Sequence, residues 1–257
     1  MKEKLTIVKV GGKIVEEEES LTRLLNDFSH INGAKMLVHG GGRSATKIAS
    51  ALGIESQMVN GRRITDKDML QVVTMVYGGL VNKNIVANLQ ARHVNALGLT
   101  GADMNAIHSH KRPVKDVDYG FVGDVDLVNG DLLADLIHKG IVPVMAPLTH
   151  DGEGHILNTN ADTIAGETAK ALAAHFDVTL IYSFEKKGVL KDANDDESFI
   201  PHINEDEFRQ YVADGIIQGG MIPKLENAFD AIHAGVSKVI ITEATAIDGK
   251  QGTIIEK

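Results

Sequence analysis

The 257-residue sequence predicts an α/β protein built on a mostly parallel sheet with helices packed on its faces. Two observations carry that expectation. Short β-branched runs alternate with segments of helical periodicity along the chain. Glycine clusters also follow the first two apolar runs, at strand ends where open parallel sheets bind ligands. The clearest strands are Leu5–Val10, Met36–His39, Val94–Leu99, Ile141–Met145, Val178–Tyr182 and Val239–Thr242.

Between the first two strands, Leu21, Leu24, Leu25 and Phe28 recur at helical spacing behind Ser20, the expected N-cap. A second helix is expected over Ser44–Leu52, stopped by Gly53 at a positive φ. Thr65 and Asp68 make a capping-box-like start for a long helix reaching about His93, with Gly78-Gly79 as a point of kinking or close approach. Asn160-Ala161-Asp162 opens another helix. Ala165, Gly166, Ala169, Ala171, Ala173 and Ala174 keep it slim enough for close packing. The final helix is expected over Leu225–Ala234, ending at Gly235 before the last strand. A boundary near His175–Val178 divides the chain into an N-terminal lobe, 1–176, and a C-terminal lobe, 177–257.

A formal charge of −9 argues against a general nucleic-acid binder. The absence of cysteine excludes disulfides, thiol catalysis and thiolate metal sites. Met1-Lys2-Glu3-Lys4 leads directly into a short strand rather than a signal peptide, and no apolar run approaches the roughly 20 residues of a membrane span. A cytosolic, soluble protein is expected. Asp192-x-Asn194-x-Asp196 opens like a calcium loop, but Glu197 and Ile203 stand where glycine and glutamate belong. The 11 histidines show no zinc-type pairing and are expected at the surface or in turns, so no protein-held metal is expected.

Anion-binding features are stronger. Lys9 precedes Gly11-Gly12 at the end of the first strand, and Gly219-Gly220 precedes Lys224 some 200 residues later. Glycine pairs let backbone N–H groups converge on an anion, and each lysine adds full charge. Read alone, Lys9 could equally be a solvated strand-face lysine and Lys224 a first-turn surface lysine. However, a cation at a helix N-terminus opposes the helix dipole and calls for a compensating anion. His39-Gly40-Gly41-Gly42 adds a third cluster. It also satisfies a dinucleotide fingerprint through Gly40-x-Gly42-x-x-Ala45, but Arg62-Arg63 occupies the region where an acidic residue is required. Asp162 is either a first-turn acid complementing the dipole or part of a site, and Asn158-Thr159-Asn160 before it exceeds what capping requires. Arg63 is either a surface charge or a bidentate carboxylate clamp. No Walker motif occurs.

Taken together, Lys9-Val10-Gly11-Gly12, His39-Gly40-Gly41-Gly42, Asn60-Gly61-Arg62-Arg63-Ile64-Thr65, Gly120-Phe121-Val122-Gly123, Asn158-x-Asn160-Ala161-Asp162 and Gly219-Gly220-Met221-Ile222-Pro223-Lys224 resemble, in order, the amino-acid kinase family, and within it the branch acting on N-acyl-L-glutamate. The resemblance implies a three-layer αβα sandwich with an N-terminal acceptor lobe and a C-terminal nucleotide lobe. It implies ATP-dependent phosphorylation of a γ-carboxylate in arginine biosynthesis, with acetyl as the default acyl group and succinyl as the alternative. Lys9 and Lys224 would stabilise the transferring phosphoryl group, with Asp162 holding both. Gly11 and Gly12 would bind phosphates, and Gly41 and Gly42 the γ-carboxylate. Arg63 and Asn158 would bind the rest of the acceptor. Glu185, Gly188, Val189, Leu190, Ile217, Gln218, Gly220 and Met221 would bind the nucleotide, with Mg²⁺ arriving on ATP.

Two segments depart from the family pattern: Phe184-Glu185-Lys186-Lys187 in the nucleotide lobe and Gly101-Ala102-Asp103-Met104 near the acyl pocket. The chain starts almost at its first strand, without the extension that accompanies arginine-inhibited hexamers. A homodimer insensitive to arginine, joined through the long helix, is therefore expected. The competing readings are a carbamate, glutamate or aspartate kinase, a nicotinamide-dependent oxidoreductase, and a non-catalytic effector-binding protein.

Overall fold

A computed structural model describes every residue except Met1, Asn60, Ala193, Gly220 and Lys257, and the side chain of Pro223. The chain enters on β1 (Lys4–Val10) and continues to β2 (Ala34–His39). A short hairpin of β3 (Met58–Val59) and β4 (Arg62–Arg63) follows. Next come β5 (Ala96–Leu99), β6 (Ile107–Lys111) and β7 (Gly123–Val128), then β8 (Val142–Met145), β9 (Leu148–His150) and β10 (Ile156–Asn158). The last four strands are β11 (Asp177–Phe184), β12 (His202–Ile203), β13 (Lys238–Glu243) and β14 (Thr253–Ile255).

Eight of these strands form one sheet in the order β12-β14-β13-β11-β1-β2-β8-β5. Every pairing in it is parallel except β13 with β14. The six strands expected from sequence all lie in this sheet, within two residues of their expected ends. A second sheet, β10-β9-β6-β7, was not legible because its strands are short or largely polar: Ile107-His108-Ser109-His110-Lys111 offers one apolar residue.

Strand periodicity explains the layers. Leu5 and Ile7 of β1 point into one core, and Val8 and Val10 into the other. The second core holds α1 (Gly12–Glu16), α2 (Glu18–Ser29), α3 (Gly42–Ala51) and the long helical run of α4 (Lys67–Val73), a π-helical stretch Thr74–Val81, and α5 (Asn82–Gln90). The first core holds α6 (Gly130–His138), α7 (Ala161–Leu172), part of α8 (Glu205–Ala213) and α9 (Met221–His233). Helices therefore cover both faces, making a three-layer αβα sandwich.

Several helix starts differ from expectation. The N-cap of α2 is Glu17, and Ser20 sits inside the helix with its hydroxyl donating to Glu17 Oε2. Asp66, not Thr65, caps α4 by accepting from the Met69 amide at 2.8 Å, while Thr65 Oγ1 turns back to the Arg63 carbonyl. The helix α9 begins four residues earlier than predicted, at Met221, which puts Lys224 inside its first turn. Gly53 has φ +74 as expected. The Gly78-Gly79 step lies within the π-helical stretch, and a Cβ on Gly78 would stand 3.4 Å from Leu148 Cδ1. No helix among the described residues is long and apolar enough to cross a membrane.

Candidate active site

The C-terminal ends of β1 and β2 lie side by side, since Val10 pairs with His39. Each strand leads through glycines into a helix, so two sets of helix-start amides face the same space. A Cβ built on Gly12 would lie 3.4 Å from the Gly42 nitrogen, 3.6 Å from that of Gly41 and 3.9 Å from that of Arg43. One on Gly40 would lie 3.1 Å from the Gly12 nitrogen. A side chain on Gly40 would crowd the Gly12 amide and one on Gly12 would just touch the facing amides, so the two loops make one continuous cradle suited to oxyanions. Gly41 is bounded from behind by Tyr77, whose ring carbon Cδ1 would meet its Cβ at 2.9 Å.

His39 anchors this turn. It is fully buried, contrary to the expectation that histidines lie at the surface. Its Nδ1 lies 2.7 Å from the Gly40 carbonyl, and its Nε2 lies 3.1 Å from Asn82 Nδ2, which also donates to the Val144 carbonyl at 2.9 Å. A neutral ring, donating through Nδ1 and accepting at Nε2, satisfies both contacts. Burial lowers its pKa to about 4; the Gly40 carbonyl opposes that shift and the Lys83 charge adds to it. The unfolded chain binds this proton near the ordinary value of about 6.5. Stability from neutral His39 is therefore full above that pH and lost as pH falls toward 4, by about 3 kcal/mol. Urea unfolding across this range should show a shallower pH slope for His39→Gln than for the parent; equal slopes would place the titration elsewhere.

Lys9 is buried on the α7 side of the sheet, and its Nζ stands 2.7 Å from Asp162 Oδ1 at the start of α7. Alternation along β1 accounts for this: Lys9 shares its face with Leu5 and Ile7, which pack on α7. Asn160 caps α7 by accepting from the amides of Asp162 and Thr163. The Tyr182 hydroxyl donates to the Asp162 carbonyl at 3.3 Å. Tyr182 is register partner to Lys9, and burial raises its pKa far above the ordinary range. The slim α7 fits here because a Cβ on Gly166 would already approach that hydroxyl to 3.3 Å.

Lys224 enters from α9. Its ammonium lies 3.7 Å from the centroid of the Phe184 ring, and Lys9 Nζ lies 5.2 Å from the same ring. Burial lowers the Lys224 pKa, Asp162 opposes the shift, and Lys9 adds to it. The expectation that Asp162 contacts both lysines is thus met at Lys9 alone. Among the described residues, no carboxylate lies within 4.0 Å of Lys224.

A cleft of ≈ 1210 Å³ is lined by Gly11, Gly12, Gly42, Arg63, Phe184 and Lys224, while Lys9 and Asp162 are not among its lining residues and sit behind the Phe184 ring. Glu185, Gly188, Val189, Leu190, Ile217, Gln218 and Met221 line the same cleft, while Gly220 lies outside the described residues. A smaller cavity of ≈ 190 Å³ shares Gly42 and Arg63, and adds Gly41, Asn158 and Tyr77. Asn158 Nδ2 donates to Thr65 Oγ1 at 2.9 Å. Arg63 is buried rather than a surface charge: its guanidinium donates to the Gly42 carbonyl at 2.7 Å, to Thr46 Oγ1 at 2.9 Å and to Ser56 Oγ. It braces the cradle and faces both cavities.

Sequence reasoning missed Tyr77, Lys13 and Arg43. Tyr77 reads as one more apolar position on a helix, so nothing in the local pattern marks it as a wall of the cavity. Lys13 Nζ lies 3.1 Å from Glu185 Oε2 and Arg43 lies 3.7 Å from Glu185 Oε1, linking the helix starts to the end of β11 across the cleft. The trio of half-buried Asp151 with exposed Glu153 and His155 is the one described group spaced like metal ligands, and it lines neither cavity.

Comparison with known proteins agrees with this geometry. Residues 4–243 match the model of the amino acid kinase family. The chain is 76% identical over its full length to the acetylglutamate kinase of Bacteroides thetaiotaomicron, covering 100% of both chains. Its fold matches a crystal structure of a Streptococcus mutans protein with TM-score 0.80 at 28% identity, covering 98% of each chain. It also matches Giardia lamblia carbamate kinase bound to AMP-PNP, with TM-score 0.69 at 15% identity, covering 100% of this chain and 99% of that one. From the paired glycine cradles to the full-length sequence match, this chain belongs to the amino acid kinase family.

Proposed function

We propose that the chain transfers the γ-phosphoryl group of ATP to the γ-carboxylate of N-acetyl-L-glutamate, forming the acyl phosphate used in arginine biosynthesis. The observation that carries this reading is the convergence of the Gly41, Gly42 and Arg43 amides on the space over Gly12, in a cleft that the Lys224 ammonium also lines. Two oxyanions can meet there without a side chain between them.

The chemistry needs charge management rather than a base. A γ-carboxylate with pKa near 4.3 is ionised at neutral pH. One of its oxygens attacks Pγ in line, the bond from Pγ to the bridging β-oxygen breaks, and ADP leaves with that electron pair. Gly11 and Gly12 hold the phosphates, and Gly41 and Gly42 hold the attacking carboxylate. Lys9 and Lys224 stabilise charge on the group in flight. Asp162 fixes Lys9, and Arg63 with Asn158 receives the rest of the acceptor. Glu185, Gly188, Val189, Leu190, Ile217, Gln218 and Met221 surround the nucleotide.

Glu185 and Asp192 are the carboxylates among the described lining residues of the large cleft. That set is too small for an all-protein cage and suits a Mg²⁺ held through phosphate oxygens, where it would neutralise phosphate charge. On this reading residues 1–176 carry the acceptor and residues 177–257 the nucleotide. The enzyme works in the cytoplasm as a homodimer joined along the long helix, where Met75 and Leu80 are about half exposed.

A larger acyl group is the second reading. Arg62 and Arg112 line the small cavity beside Arg63, and a succinyl group would bring a third carboxylate to them. Against it, Arg112 is already paired with Asp124 through Nε and Nη2. A coupled ADP-release assay offering ATP with glutamate, N-acetylglutamate or N-succinylglutamate tests both. Turnover is expected with N-acetylglutamate and little with glutamate. Preference for the succinyl compound selects the second reading, and no turnover with either acylglutamate overturns the proposal.

A further inference from the structure

We propose that Phe184 is the positioning residue for Lys224, an uncharged seat that holds the ammonium in the cleft until phosphoryl oxygens take it over. This rests on the kinase reading above. Phe184 ends β11, lines the large cleft, and presents its ring to Lys224 at 3.7 Å and to Lys9 at 5.2 Å. Behind it, the Tyr182 ring stacks at 6.2 Å between centroids and 17° between planes. Tyr182 and Phe184 are two apart on one strand and so share a face, the one that Lys9 occupies on the neighbouring strand.

Lys224 has an electrostatic problem that this ring answers. It sits in the first turn of α9, where the helix dipole disfavours a cation. Lys9 repels it, and Asp162 is engaged by Lys9 at 2.7 Å. Glu185, next to the ring, is turned to Lys13 and Arg43. A carboxylate placed under Lys224 would hold it, but would then compete with phosphoryl oxygens for its charge. An aromatic face attracts the ammonium through its quadrupole and leaves the full positive charge available to a ligand. The ring also favours the protonated amine against the burial that lowers its pKa.

The test is turnover and the pH profile of kcat/KM for ATP in Phe184→Leu and Phe184→Tyr. Phe184→Leu should lower kcat by roughly 3- to 30-fold, with a smaller change in KM. Its alkaline limb, which reports the free enzyme, should move to lower pH by about 0.5–1 unit. Phe184→Tyr keeps the ring and should restore both. If Phe184→Leu does not fold, Phe184→Met supplies the comparison without an aromatic face. An unchanged kcat, or a lowered kcat with the alkaline limb unmoved, overturns the proposal. A parent protein with no acylglutamate turnover would instead count against the kinase reading itself.

Discussion

Lys224→Ala is expected to lower kcat by about 10²–10³-fold while leaving KM for ATP within a few-fold of the parent, the pattern left by losing a group that acts on developing charge. The structure explains the split. In the free protein Lys224 is half-buried, its pKa lowered, at the unfavourable end of a helix. An ammonium so placed gains most when negative charge builds up beside it, so its contribution is larger in the transition state than in the bound ground state. Steady-state kinetics of purified variant and parent measure this directly. A proportional rise in KM with kcat unchanged would make Lys224 a simple nucleotide contact, and no change in either would make it a surface lysine.

Asp162→Ala should cost both stability and turnover. It leaves the Lys9 ammonium, 9% exposed, without the carboxylate 2.7 Å away. Removing one partner of a buried pair destabilises by about 3–5 kcal/mol. Asp162 is itself 22% exposed, so the lower figure applies, equivalent to a fall in Tm of about 6–12 °C for a chain of this size. Lys9→Met combined with Asp162→Ala removes the stranded charge and should recover most of that Tm while remaining inactive. A single Asp162→Ala variant melting within a degree or two of the parent would show that Lys9 is solvated.

The legibility of the sequence followed its apolar signal. The expected strands of the large sheet are mostly apolar runs, as burial between two helical layers requires, with Leu97 of the edge strand β5 exposed. The strands of the small sheet face solvent on one side or span three residues, and they left no comparable trace. Helix interiors were found, and so was the Asn160 start of α7, but other starts were misplaced: Thr65 and Asp66 are both able caps, and α2 begins behind Glu17 with no side-chain cap to mark it. In the site, glycine clusters were visible because they are unusual at strand ends. Their meeting was not, since it depends on β1 and β2 being neighbours in register. His39 illustrates the same limit: its partners are a helix 43 residues away and, through Asn82, a strand beyond it. The departure at Phe184 and Glu185 was visible too, but only as a break in the family pattern of the nucleotide lobe. The structure shows those side chains facing cations on the opposite side of the cleft.

The charges lining the large cleft bear on how ligands find it. Lys13, Arg43, Arg63, Lys186, Lys191 and Lys224 face it against two carboxylates, in a chain whose formal charge is −9. An anion diffusing toward this acidic molecule is repelled on average and drawn inward at the cleft mouth, because low-dielectric walls focus the field there. The same well attracts ADP and the acyl phosphate. The expected result is therefore that product release quickens as added salt flattens the field, which the ionic-strength dependence of ADP dissociation measures.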